Sequence, residues 1–151
     1  MKFNTEVIIN LPRKKVVELF NNSDNLKKWQ PTLLSFETIE GLPGEVGAKA
    51  KMKYKMGKKE IEMIETITEN NLPYEFNATY EAKGVFNIAK NYFVEVDNNT
   101  TKYLSEQEFI FKGFMKIIGF FMPGAFKKES MKYLIQFKDF AEKEAANNNI
   151  N

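Results

Sequence analysis

The chain contains no histidine and no cysteine, which removes the imidazole base, the thiol nucleophile and the usual zinc ligands at once. Acid–base chemistry would fall to a carboxyl, a lysine or a tyrosine, and one carboxyl stands out by its place in a pattern. In "AKAKMKYKMGKKEIEMIE", Ala48 to Glu65, lysine takes every second position until Gly57, after which glutamates take over. Strict alternation marks a β-strand whose two faces meet different surroundings. Lys49, Lys51, Lys53 and Lys55 share one face, and Ala48, Ala50, Met52, Tyr54 and Met56 share the other. Gly57-Lys58 suits a two-residue hairpin loop with glycine at its first central position. That loop sets Lys55 opposite Glu60, Lys53 opposite Glu62 and Glu65 opposite Ala50, on the Met52/Met63 face. A carboxyl in an apolar wall keeps its proton to higher pH and can serve as a general acid or base. Glu65 is therefore the candidate catalytic residue, unless a bulge at the strand end already delivers it to solvent.

Lys90 is the expected partner of Glu65. Tyr74 to Glu81 and Val85 to Glu95 read as a hairpin around Ala82-Lys83-Gly84, with Gly84 as the left-handed residue of a three-residue loop. This register pairs Tyr80 with Phe86, Ala78 with Ile88, Phe76 with Lys90 and Tyr74 with Tyr92, and turns Asn77, Thr79, Asn87 and Asn91 outward. A two-residue loop would slip the pairing by one and bury Asn87 and Asn91 instead. The three-residue loop gives the better hydrophobic pattern and brings Lys90 inward beside Phe76, where a buried charge demands a partner.

Composition narrows the function classes. At 151 residues, 43% hydrophobic and 14% aromatic, the chain suits one domain with a sizeable core. The 22 basic and 20 acidic residues leave a net charge of +2, too little for strong steering of polyanions. The lysine face is answered by glutamates across the hairpin, so nucleic acid is not an expected partner. The start "MKFNTEVIIN" has no signal-peptide form, which points to the cytoplasm. "FMKIIGFFMPGAF", Phe114 to Phe126, is the most apolar window, but it carries a lysine, two glycines and a proline. It is also shorter than the ~20 residues a membrane helix needs, so no stable membrane insertion is expected. "GLPGEVG", Gly41 to Gly47, lacks the Gly-Lys-Ser/Thr ending of a phosphate loop and precedes a strand where such a loop opens a helix. No metal or cofactor is expected.

The remaining elements follow from periodicity. Phe3 to Asn10 alternates as a strand, and Pro12 suits the first turn of a short helix carrying Val16, Val17, Leu19 and Phe20. Ser23 can cap a second short helix with Leu26 and Trp29, stopped by Pro31. Leu33 to Glu40 is a strand. So is Lys102 to Lys112, with Tyr103, Ser105, Gln107, Phe109 and Phe111 on one face. From Phe126 to Ala141 the spacing turns helical: Phe126, Ser130, Tyr133, Leu134, Phe137 and Ala141 form one stripe, and Lys128, Lys132, Gln136, Asp139 and Lys143 lie opposite. The domain is expected over residues 1–146, with 147–151 a disordered tail.

This order of a strand, two short helices, six strands and a long helix resembles the START-like or Bet v 1-like superfamily (SRPBCC). The likeness is nearest to its bacterial polyketide cyclase/dehydrase and lipid-transport group. "EVIINLPRKKVVELF", "LKKWQP", "GLPGEVGAKAKM" and "GFMKIIGFFMPGAFKKESMKYLIQFKDFAEK" carry the resemblance, which covers nearly the whole chain. It implies an α+β helix-grip fold, in which a seven-stranded antiparallel sheet wraps around the long C-terminal helix, with two short helices after strand 1. It also implies a cavity between sheet and helix, gated by the glycine-rich loop with Trp29 as its neighbour. Met52, Met63, Phe76, Tyr80, Phe109, Phe126 and Phe137 would form the apolar wall. Tyr54, Tyr103, Gln107, Ser130 and Tyr133 would add polar tips, with Glu65 and Lys90 as the charged pair. A monomer or weak dimer carrying or sensing a hydrophobic small molecule or lipid needs nothing more. A cyclase- or dehydratase-type enzyme would use Glu65, and a co-chaperone-like binding module would need an exposed docking face. Fold alone does not choose among them.

Overall fold

The computed structural model describes residues 1–148. Seven strands form one sheet: β1 (Lys2–Ile9), β2 (Leu33–Glu40), β3 (Lys49–Met56), β4 (Lys59–Asn71), β5 (Glu75–Ala82), β6 (Val85–Asp97) and β7 (Thr100–Phe111). Their spatial order is β1-β7-β6-β5-β4-β3-β2, and every neighbouring pair is antiparallel. Alternation decides the faces. In β1, Thr5, Val7 and Ile9 are buried while Asn4, Glu6 and Ile8 are exposed. The lysine hairpin closes at Gly57, whose φ of 62° needs glycine. It pairs Lys55 with Glu60, Lys53 with Glu62 and Ala50 with Glu65, as its sequence predicts. The lysines lie on the outer face. Lys51 Nζ is 4.0 Å from a Glu62 carboxylate oxygen, a surface contact of little energetic weight.

The next hairpin departs from expectation. Its connection is the two residues Lys83-Gly84, with Ala82 paired to Val85, Tyr80 to Asn87, Asn77 to Lys90 and Phe76 to Asn91. The register is one residue away from the one the hydrophobic pattern favours, so Asn87 and Asn91 turn inward and Lys90 turns outward into solvent. The reason lies on the neighbouring strand. β7 presents Ser105 and Gln107 to the same face, and the asparagine amides satisfy them. Gly84 is also held from outside the hairpin: Lys112 N donates to its carbonyl at 2.9 Å, and a Cβ there would stand 2.9 Å from Met115 Cγ.

The helices close the concave face. α1 (Arg13–Asn21) buries Val16 and Leu19. A 3₁₀ turn (Ser23–Asn25) leads directly into α2 (Leu26–Trp29). Asn22, rather than Ser23, caps that turn, accepting from Asp24 N at 3.0 Å. Asn25 ties it to α1 by donating to the Leu19 carbonyl. α3 (Met115–Phe121), a short helix not read from the sequence, precedes the long α4 (Pro123–Asn148). α4 includes residues 147 and 148 of the expected tail, and the rest of that tail lies outside the described residues. The main core gathers Val7, Ile9, Val16, Leu19, Phe93, Tyr103, Leu134, Phe137 and Ala141 around the C-terminal half of α4. Phe20 sits among Phe76, Phe93, Tyr103 and Phe137, its ring centroid 4.9–5.9 Å from theirs. Edge-to-face contacts of this kind lock the deep end of the fold.

Candidate functional site

The helical stripe of α4 is buried unevenly, and this places the site. Leu134, Phe137 and Ala141 are fully covered, whereas Phe126, Ser130 and Tyr133 on the same stripe are half-buried. The sheet follows the same gradient. Phe93 and Tyr103 are buried, while Met63, Glu65, Tyr80, Asn87, Gln107 and Phe109 on the inner face keep accessible surface. The N-terminal half of α4 and the inner face of β3 to β7 are thus the less completely covered part of the interior, and Phe126 meets Phe109 and Phe111 there at 5.2 and 4.9 Å.

Strand pairing sets a row across this inner face: Ala50, Glu65, Tyr80, Asn87 and Phe109 are successive partners. Glu65 and Tyr80 are directly opposite, which sets the Tyr80 phenol beside the Glu65 carboxyl. Burial lifts the Glu65 pKa above the usual carboxylate range, and the Tyr80 phenol only partly offsets this. Burial and then the neighbouring Glu65 push the Tyr80 phenol well up. Tyr54 is raised in the same way, by burial first and then by Tyr133 and Glu65. Its hydroxyl donates to Gln30 Oε1 at 2.5 Å. Tyr133, from α4, is pushed up to about 12 by burial and Glu129, against a hydrogen bond with Thr32. Gln30, in the link between α2 and β2, therefore holds the Tyr54 tip beside Glu65.

Further along the inner face runs a second polar row. Asn87 Nδ2 donates to Gln107 Oε1 at 2.9 Å, and Gln107 Nε2 donates to Ser105 Oγ at 2.6 Å. Ser105 Oγ and the Tyr103 hydroxyl both donate to Asn91 Oδ1, at 2.9 and 3.1 Å, and Asn91 Nδ2 donates to the Phe76 carbonyl. Buried amides and hydroxyls need such partners. Thr5 Oγ1, opposite Ser105, and Trp29 Nε1 are the buried side-chain polar atoms without one among the described residues.

The sequence-predicted residues divide accordingly. Met63, Glu65, Phe76, Tyr80, Gln107, Phe109, Phe126, Ser130 and Tyr133 are half-buried on the inner faces, and Tyr54 is buried at the polar end. Met52, Tyr103 and Phe137 are packed core residues. Lys90 is corrected: on the outer face it cannot reach Glu65, which has no buried cation as partner. Trp29 is corrected as well. It packs on Phe137 with centroids 5.2 Å apart, and the eight residues of β2 separate it from the glycine-rich loop. Gln30, Asn87 and Asn91 were not read as site residues. The turn choice at Lys83-Gly84 was the signal for both asparagines. Two recesses share Phe109, Phe111 or Gln107 with the inner face but are lined by neither Glu65, Tyr80 nor Tyr133. One of about 400 Å³ lies between Met1, Phe109, Phe111 and Phe120, and one of about 180 Å³ on the outer face includes Lys90 and Glu106.

No family profile matches the sequence, and no characterised protein matches it by sequence. Solved structures do match over nearly the full length. An aromatase/cyclase, Zhui, from a Streptomyces species superposes with a TM-score of 0.80 at 11% identity, over 96% of this chain and 95% of that one. Norcoclaurine synthase from Thalictrum flavum gives 0.72 at 16% identity, over 97% and 86%. Ara h 8.0201 gives 0.73 at 15% identity, over 93% and 97%. Identities this low speak for architecture alone. The chain has the helix-grip fold that these structures share.

Proposed function

We propose that the inner face of β3 to β7 and the N-terminal half of α4 bound a cleft that binds an apolar small molecule or lipid carrying one polar end, and releases it unchanged. The observation that carries this reading is Glu65. Its carboxyl, biased toward the neutral form by burial, sits with the Tyr80 and Tyr54 hydroxyls on a wall otherwise built of methionine and aromatic side chains. A neutral carboxyl can both donate and accept a hydrogen bond, which suits a hydroxyl, carbonyl or protonated acid on the ligand. The rest of the wall supplies burial without charge. Saturable binding of fluorescent fatty-acid or polyphenol probes, little changed by salt, is the expected result. Mass spectrometry of small molecules extracted from the natively purified protein would name the class. Binding that requires DNA or RNA and collapses with salt would overturn the reading.

A second reading rests on the Glu65–Tyr80 pair itself, because a raised carboxyl beside a phenol is also equipped for proton transfer. A cyclase or dehydratase would use it as the acid/base. Glu65→Gln separates the two. An enzyme would lose turnover by the roughly 10²- to 10⁴-fold typical of a missing general acid/base at similar ligand affinity. A carrier would change only in affinity.

A further inference from the structure

α3 is apolar apart from Lys116, yet only one side is covered. Met115, Ile118 and Gly119 face the body of the protein. Gly119 lies so close to Phe111 that a Cβ would stand 2.6 Å from the ring. The opposite stripe, Phe114, Ile117, Phe120 and Phe121, stands in solvent, with Phe114 72%, Phe120 78% and Phe121 74% exposed, and Met122 beside it is exposed as well. A helix hydrophobic all round is ordinarily buried, and an exposed cluster of large apolar side chains marks a contact surface. The segment itself carries charge of one sign, between Glu108 before it and Glu129 after it. Lys112, Lys116, Lys127 and Lys128 are exposed, and from Phe109 to Lys128 the chain holds no aspartate or glutamate.

We propose that α3 and its flanking lysines dock this protein on an anionic lipid surface, the phenylalanines entering the headgroup boundary and the lysines resting on the negative charge. Aromatic tips framed by basic residues are the chemistry of interfacial binding. A second copy of the chain fits less well, because a symmetric contact would bring four lysines against four with no acidic residue in the segment to answer them. Nucleic acid would leave the phenylalanines unused. No described helix is long and apolar enough to cross a membrane, so the contact is with the surface. It stands independently of what the cleft holds.

The test is sedimentation of the full chain with vesicles of phosphatidylcholine alone and of phosphatidylcholine mixed with phosphatidylglycerol, with no cleft ligand added. Binding should need the anionic lipid and weaken with salt. Phe120→Glu/Phe121→Glu should raise the dissociation constant by at least roughly tenfold. Lys127→Gln should raise it roughly fivefold, the worth of one lysine near an anionic surface. Both variants change exposed positions, so an unchanged melting temperature is expected. If the double variant misfolds, Phe114→Ser carries the same test. No binding to anionic vesicles, or binding indifferent to these substitutions, overturns the proposal. So does a wild-type dimer in sedimentation equilibrium that the phenylalanine variants turn into monomers without any vesicle binding, which would assign the face to a second copy. Because no ligand is present, vesicle binding can fail while the cleft still binds probe, and the reverse.

Discussion

Replacing Asn91 by Leu tests the inner polar row and, with it, the register of β5 and β6. Leucine keeps much of the volume but removes every hydrogen bond of the amide. The Tyr103 and Ser105 hydroxyls lose Asn91 Oδ1, their acceptor at 3.1 and 2.9 Å, and the Phe76 carbonyl loses a donor at 3.1 Å. Tyr103 and Ser105 are 5% and 1% exposed, so solvent cannot replace what is lost. Each buried group left unpaired costs about 1–3 kcal/mol, and burying an extra apolar side chain returns about 2 kcal/mol at most. The net loss should be about 3 kcal/mol, or roughly 6–12 °C in melting temperature for a domain of this size. Urea unfolding of the wild type, Asn91→Leu, Tyr103→Phe and the double variant measures it. In the double variant the tyrosine hydroxyl no longer wants a partner, so Tyr103→Phe should cost about 1 kcal/mol in the wild type and less than nothing after Asn91→Leu. Such non-additivity is the signature of a shared contact. An Asn91→Leu loss under about 1 kcal/mol, or identical costs of Tyr103→Phe in both backgrounds, would refute the inward placement of Asn91.

Three other outcomes follow from the same geometry. Glu65 has a folded-state pKa raised above its unfolded value, so the folded chain holds the extra proton. Stability should be greatest below the ordinary carboxylate value of 4.5 and fall as pH rises toward the folded pKa, by at most about 1.4 kcal/mol per pH unit. Glu65→Gln should flatten that part of the pH profile and stabilise the protein at neutral pH. Parallel profiles for the two proteins would mean that Glu65 reaches solvent. Lys90→Met, on the outer face, should shift stability by no more than about 0.5 kcal/mol, alone or with Glu65→Gln; a large loss would restore the buried ion pair. Gly119→Ala should destabilise by about 1–3 kcal/mol despite alanine's better helix propensity. Its methyl would enter a Phe111 ring already stacked on Phe109 and tilted against Phe126, and a stabilised variant would show that α3 is free to move.

Local chemistry was enough to specify much of this protein. The lysine hairpin could be read because period-two alternation and a glycine at the turn are short-range facts, and both faces of its strands carry contrasting residues. The same holds for the α4 stripe, where Phe126, Tyr133, Phe137 and Ala141 recur at helical spacing. Glu65 could be placed on the inner face because one hairpin register decides it. The β5–β6 register could not be read in this way. Hydrophobic matching within that hairpin favoured Phe86 and Ile88 inward, but Ser105 and Gln107 on β7 needed amide partners, and polar groups on the strand beside the hairpin outweighed the local pattern. Lys90 moved outward with that slip, and Glu65 lost its expected counter-charge. α3 escaped for a related reason. Its apolar run has no polar face to set a helical period, and its place depends on Gly119 meeting Phe111, a contact that exists only once β7 and the helix lie together. Periodicity records which side of an element differs from the other; where both sides are alike, or where a polar residue's partner lies on another strand, only the assembled structure decides which way it faces.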